Sequence, residues 1–247
     1  MADEPIKLGI LHTYPEEFDL RGLEPDSQKF INMFASVGAP LEYVVYEVAR
    51  NEFPDHRTEC DAYLITGSPC GVYESHSWIG DLEEFIREAY QSATPLVGIC
   101  FGHQAISQAL GGEVRRADTG WLLGLHAIRI GKKATWMDSE PSEHPLYFIN
   151  QDQVVRLPVD AELLGSMEAC QYAMYSMGNQ VLCIQAHPEQ PLHSMQVFTD
   201  QLEDGSYIDA ESALRSRETM DAGQPDAKLF AGWITNFLQA AHRQSRS

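Results

Sequence analysis

Basic residues are scarce in this 247-residue chain: 17 Lys and Arg stand against 36 Asp and Glu, a formal net charge of −19. Binding to nucleic acid or an anionic membrane relies on basic patches that displace counterions, so this balance argues against both as partners. Long apolar runs are missing as well. No stretch is hydrophobic enough to span a bilayer, and the opening MADEPIKLGI lacks the basic-then-apolar layout of a secretory signal. Cysteine is sparse. Cys60, Cys70, Cys100, Cys170 and Cys183 are odd in number, widely spaced and form no Cys-x-x-Cys pair. That pattern argues against a disulfide framework and a structural zinc site, and it fits reduced thiols in the cytoplasm. No metal and no cofactor are expected.

What is present is an ordinary globular mixture, 44% hydrophobic and 21% charged. Short apolar runs at Ile6 to Thr13, Leu41 to Val48, Asp61 to Pro69 and Pro95 to Cys100 read as strands. Between them, Phe30, Ile31, Met33 and Phe34, and then Trp78, Leu82, Phe85, Ile86, Ala89 and Tyr90, recur at helical spacing. This alternation predicts a doubly wound, mostly parallel α/β sheet flanked by helices. After Gly112 the texture changes to short strand-like pieces, which predict a small antiparallel extension and a return to the main sheet. The expected organisation is one domain over 1–247, with a core at about 6–190 and a C-terminal helical extension at 191–247. In that extension Leu229, Phe230, Trp233, Ile234, Phe237 and Leu238 form one apolar stripe.

A cysteine that only fills core space needs no glycine beside it. Cys100 has Gly98 and Gly102 on either side, where the run PLVGIC passes into the helical GHQAISQALGG. Strand, Gly-x-nucleophile-x-Gly, helix is the layout of a nucleophile elbow. The helix start aims its free N–H groups at the sulfur, a setting that favours thiolate over thiol. The other four cysteines read as core residues, and Cys100 is expected to be the most reactive thiol.

A thiol nucleophile needs a base, itself held by a third group. His187 ends the apolar run QVLCIQA, and Glu189 follows two residues later behind a proline. Of the other histidines, His12 closes the first strand and His103 reads as structural support. His56, His76, His144, His193 and His242 read as solvated or locally bonded. Acyl transfer also calls for oxyanion donors. The N–H of Phe101 offers one, and the TGSP turn offers another through Ser68 or Gly67.

GICFGHQ, AHPE and ITGSP together resemble the class I glutamine amidotransferases, in the stand-alone form similar to the glutaminase half of GMP synthetase. The plant gamma-glutamyl peptidases share that layout. DTGWLLGLHAIRI and DQVVRLPVDAELLGSMEAC also look like segments of this family. The resemblance implies a flavodoxin-like fold and a Cys100–His187–Glu189 triad that cleaves the amide of glutamine or another γ-glutamyl compound. It further implies that Gln104 helps hold the amino-acid end of the substrate, and that Gln151 and Asp152 lie in the binding site. Here Gly67-Ser68-Pro69 replaces the family's Gly-Gly-Pro, and Ile149-Asn150-Gln151-Asp152 replaces the Ser-His-Gly-Asp of the GMP synthetase type.

The expected partner is a small γ-glutamyl substrate. Any ammonia-accepting synthetase would be a separate polypeptide, because no synthetase domain follows before Ser247. Two readings compete with a free-standing hydrolase: a glutaminase subunit feeding such a synthetase, and a non-catalytic regulatory or binding protein with this fold. A Cys-elbow chaperone or stress protein is a further alternative, against which the HPE segment counts. The polar segment Leu202 to Ala222 is expected near the mouth of the site.

Overall fold

Strand residues alternate between two cores, and that alternation builds the layers. In the computed structural model, which describes residues 4–16, 18, 21–138 and 142–245, the first half of the chain alternates strand and helix. It runs β1 (Ile6–His12), α1 (Asp26–Ala35), β2 (Leu41–Glu47), β3 (Ala62–Ile65), α2 (Ser77–Gln91), β4 (Leu96–Ile99) and α3 (Phe101–Ala109). Seven strands follow: β5 (Glu113–Arg116), β6 (Leu122–Ile130), β7 (Glu143–Asn150), β8 (Asp152–Arg156), β9 (Glu162–Met167), β10 (Cys170–Met177) and β11 (Val181–Ile184). Helices α4 (Leu192–Asp204), α5 (Ala210–Asp221) and α6 (Ala227–Ser245) close the chain.

Among the described residues the main sheet has nine strands, in the order β2-β1-β3-β4-β11-β10-β9-β6-β7. The first five are parallel to one another. The last four pair antiparallel and prolong the same sheet. Strands β5 and β8 form a separate two-stranded antiparallel sheet. The extension predicted after Gly112 is thus split: most of it continues the main sheet. Strand β11 returns between β4 and β10, which brings the segment after Ile184 beside the end of β4.

Leu8, Ile10, Leu64, Val97, Ile99, Leu182 and Ile184 face one core, shared with α1 and α6. Leu11, Tyr63, Ile65, Leu96, Val181 and Cys183 face the other, shared with α2 and α3. Every residue of β3, β4 and β11 is buried, as expected of parallel strands covered on both sides. The C-terminal stripe docks as its pattern predicts: Phe230, Trp233, Ile234, Phe237 and Leu238 are buried, and Trp233 Nε1 donates to Asp138 Oδ1 at 2.9 Å. Among the described residues, no helix is long and apolar enough to cross a membrane.

His144 keeps a local partner, one of the two settings expected for it, but it is not solvated. It is buried, lies edge-on to Trp233, and bridges Ser142 Oγ at 2.8 Å and Asp226 Oδ2 at 2.7 Å. It pins the start of α6 to β7.

His103 is structural, as expected. It is fully buried in α3, and Nε2 lies 2.8 Å from the Tyr172 carbonyl, so that nitrogen carries the proton and donates. Burial pushes its pKa down to about 4. An unfolded chain therefore binds a proton at this histidine between about pH 6.5 and pH 4 that the folded chain does not. Stability contributed here is full above pH 6.5 and falls as the pH drops through that window, by about 3 kcal/mol in all. Urea unfolding at pH 7 and pH 4.5 should show His103→Gln losing less stability on acidification than the parent. Equal losses would show that His103 does not set this dependence.

Candidate active site

Three strand ends meet at one point: β3 at Ile65, β4 at Ile99 and β11 at Ile184. In open parallel sheets this carboxyl edge is where ligands gather. Cys100 sits on the turn from β4 into α3 with φ 51° and ψ −102°, a conformation that costs a non-glycine residue about 1–3 kcal/mol. The surroundings hold it there. Cys100 N–H donates to the Ile184 carbonyl at 2.9 Å, Gln104 N–H donates to the Cys100 carbonyl at 3.1 Å, and Gly102 N–H donates to the Thr66 carbonyl at 3.1 Å.

The flanking glycines are demanded by the space. A Cβ on Gly98 would lie 2.5 Å from the Gly102 carbonyl oxygen, and one on Gly102 would lie 2.3 Å from that of Ile65. Because α3 begins at Phe101, the Phe101 N–H belongs to the first turn, whose donors have no partner within the helix.

His187 is placed by a backbone bond to a distant strand: its N–H donates to the Tyr147 carbonyl in β7 at 2.8 Å. Its Nδ1 lies 2.7 Å from Glu189 Oε1, and both side chains are buried. Nε2 has no hydrogen-bond partner among the described residues. Burial works against charge on this ring. The Glu189 carboxylate and then the Cys100 sulfur outweigh it, so the imidazolium persists well above the usual histidine range. An empty site commonly shows the nucleophile–base contact looser than it becomes with substrate bound.

The TGSP turn lies against the imidazole, since a Cβ on Gly67 would sit 3.0 Å from His187 Cε1. Thr13 Oγ1 donates to the Gly67 carbonyl at 2.9 Å. A trans peptide points its N–H opposite its carbonyl, so the Ser68 N–H is directed away from Thr13. The Ser68 hydroxyl is used locally and accepts from Cys70 N–H at 3.3 Å.

Gly67, Ser68, Cys100, Gln104, Gln151, Asp152 and His187 all line one cleft of about 500 Å³. Gln104 also does internal work. Its Nε2 donates to the Asp152 carbonyl at 2.8 Å and to Gln185 Oε1 at 3.0 Å, which ties α3 to the β7–β8 turn. Gln151 is held by its backbone, whose carbonyl accepts from Ala117 N–H at 2.9 Å. Asp152 Oδ1 accepts from the Tyr73 hydroxyl at 2.9 Å, and burial raises the pKa of this carboxyl. Glu189 lies behind His187 and does not line the cleft.

The polar segment 202–222 reaches the mouth only in part. Leu202 and Tyr207 line the cleft, but α5 turns away and docks on β6, where Leu125 N–H donates to Thr219 Oγ1 at 3.0 Å. At the rim, Cys70, Glu74 and His76 bring their ligating atoms within 4.8 Å of one another. His76 Nε2 and Glu74 Oε2 lie 3.2 Å apart, and Glu74 Oε1 accepts from Gly71 N–H at 3.0 Å, so the pair braces this loop.

Sequence reading passed over Asp26, Lys29, Gln190 and Arg116. Asp26 and Lys29 did leave a signal: at helical spacing they fall on the same face as Phe30 and Met33, where charge is costly. Arg116 left none, because it reaches the cleft only through the pairing of β5 with β8.

A strand–Cys–helix elbow at the carboxyl edge thus stands beside a His–Glu pair arriving from the neighbouring strand. The model of the "Glutamine amidotransferase class-I" family matches residues 27–202, more than half of the chain, and the chain belongs to that family. "Gamma-glutamyl peptidase 3" of Arabidopsis thaliana is 32% identical over 218 residues, covering 85% of this chain and 87% of that protein. "Gamma-glutamyl peptidase 4" of the same plant is 29% identical over 246 residues, covering 97% of each. A glutamine amidotransferase of Thermotoga maritima shares the fold with a TM-score of 0.76 at 17% identity, covering 96% of this chain and 98% of its own.

Proposed function

We propose that this protein is a cysteine-dependent amidohydrolase that cleaves a γ-glutamyl amide through a thioester on Cys100. The observation that carries this reading is His187, held by Glu189 at 2.7 Å, opening onto the same cleft as the strained Cys100 at the start of α3. In the reaction the Cys100 thiolate attacks the γ-carbonyl carbon. The oxyanion that forms takes hydrogen bonds from Phe101 N–H and Ser68 N–H. His187, as imidazolium, gives its proton to the departing nitrogen, and the C–N bond breaks. Water then loses a proton to His187 and attacks the thioester, releasing glutamate and the thiolate.

The cleft also suits a zwitterionic glutamyl end. Asp152 and Arg116, close enough to influence each other electrostatically, both line it. They can meet an α-ammonium and an α-carboxylate respectively.

Gamma-glutamyl peptidases that align over nearly the whole chain favour a free-standing hydrolase within this reading. It acts as one domain, since α6 shares a core with β1 and β11. Five widely spaced cysteines with no Cys-x-x-Cys pair fit a cytoplasmic setting. The test is glutamate release from glutamine and from a panel of γ-glutamyl peptides, using purified protein with no partner added. Turnover of a γ-glutamyl peptide is expected. Silence that lifts only when a synthetase is supplied would favour the ammonia-delivering subunit, and silence under every condition would sink the hydrolase reading.

A further inference from the structure

Helix α1 carries a charged pair on its apolar face, and that pair leads to the candidate triad. Asp26 is 4% exposed and Lys29 is 3% exposed, and Lys29 Nζ donates to Asp26 Oδ1 at 2.9 Å. Their helix-face neighbours, Phe30 and Met33, are core residues. Lys29 lies over the Phe198 ring, 5.2 Å from its centroid. A buried ion pair contributes little net stability compared with apolar side chains of similar size. Folding alone therefore gives weak reason for placing one here.

The pair does have a further partner. Asp26 Oδ1 accepts a second bond, from Gln190 Nε2 at 2.9 Å, and the same nitrogen reaches Glu189 Oε1 at 3.2 Å. Glu189 Oε1 is the oxygen that holds His187 Nδ1. One amide nitrogen thus spans two buried carboxylates, and the Lys29 cation balances the one farther from the histidine. Without Asp26, Gln190 would lose the acceptor that orients it, and Glu189 would lose a fixed donor beside the imidazole.

We infer that Asp26 and Lys29 are positioning residues for the Cys100–His187 pair, acting through Gln190 on Glu189. The inference rests on the proposed hydrolase reading for its kinetic test. A substrate-free measurement, the alkylation rate of Cys100, keeps the two separable.

Three changes isolate the bridge. Gln190→Met removes it without touching α1. Asp26→Leu with Lys29→Met removes the acceptor and leaves no buried charge unpaired. Asp26→Asn with Lys29→Met keeps an acceptor for Gln190 while removing both charges. The first two should lower kcat and the alkylation rate of Cys100 by about tenfold, with KM within about twofold. The third should recover most of that loss. In a Glu189→Gln background the first two should add little, because residues acting through one another are not additive.

Should the leucine–methionine variant fail to fold, Gln190→Met alone decides the question. A change confined to KM, or a full additional loss in the Glu189→Gln background, would overturn the proposal, since the carboxylate would then act on substrate or on the fold directly. If no γ-glutamyl compound is turned over, the alkylation rates in the same variants still test the bridge. Unchanged rates would reject it.

Discussion

Cys100→Ala is expected to lower γ-glutamyl hydrolysis by at least about 10⁴-fold while the protein stays folded. The elbow explains both halves of this outcome. The substitution deletes the proposed nucleophile but leaves the backbone bonds to Ile184 and Gln104, and it exchanges one L-residue for another at the same positive φ. Thermal melting checks the fold, and glutamate release checks the activity. Mild alkylation at neutral pH gives a second line of evidence. Cys70 shares the cleft and is as buried as Cys100, each 6% exposed, so accessibility cannot separate them. Only Cys100 has the helix start and His187 beside it, and peptide mapping should find the label there. Labelling concentrated on Cys70 would remove the main reason for assigning Cys100 as nucleophile.

The second large effect belongs to His187. Its replacement by alanine removes the proposed proton carrier and should reduce kcat by about 10²–10⁴-fold. Glu189→Gln should cost about one to two powers of ten less, because it removes charge and orientation but keeps a polar partner at Nδ1. The pH profile separates these roles. The Glu189 carboxylate is the largest influence raising the His187 pKa, so neutralising it lowers that pKa. The alkaline limb of kcat, where the imidazolium loses its proton, should therefore move to lower pH in Glu189→Gln. A limb that stays in place, or a Glu189→Gln enzyme as inactive as His187→Ala, would give Glu189 a more direct part in the chemistry.

By itself the sequence determined the elbow, the strand–helix alternation and the apolar face of α6. These are local: Gly98 and Gly102 announce a tight turn, and helical or strand spacing shows which side chains face inward. Cys100 and His187 stood out as candidates for the same reason, each lying at the end of an apolar run, with Glu189 two residues beyond His187. Tertiary structure alone decided which strand ends became neighbours. The insertion of β11 between β4 and β10 brings His187 to Cys100 across 87 positions of chain, and no periodicity encodes that pairing. It also decided that His144 is a buried brace, that α5 leaves the mouth of the cleft, and that Gln190 joins α1 to Glu189 across 164 positions. Such contacts depend on the burial and direction of side chains from remote elements. A lone Asp or Gln in the sequence carries no mark of the partner that burial will give it.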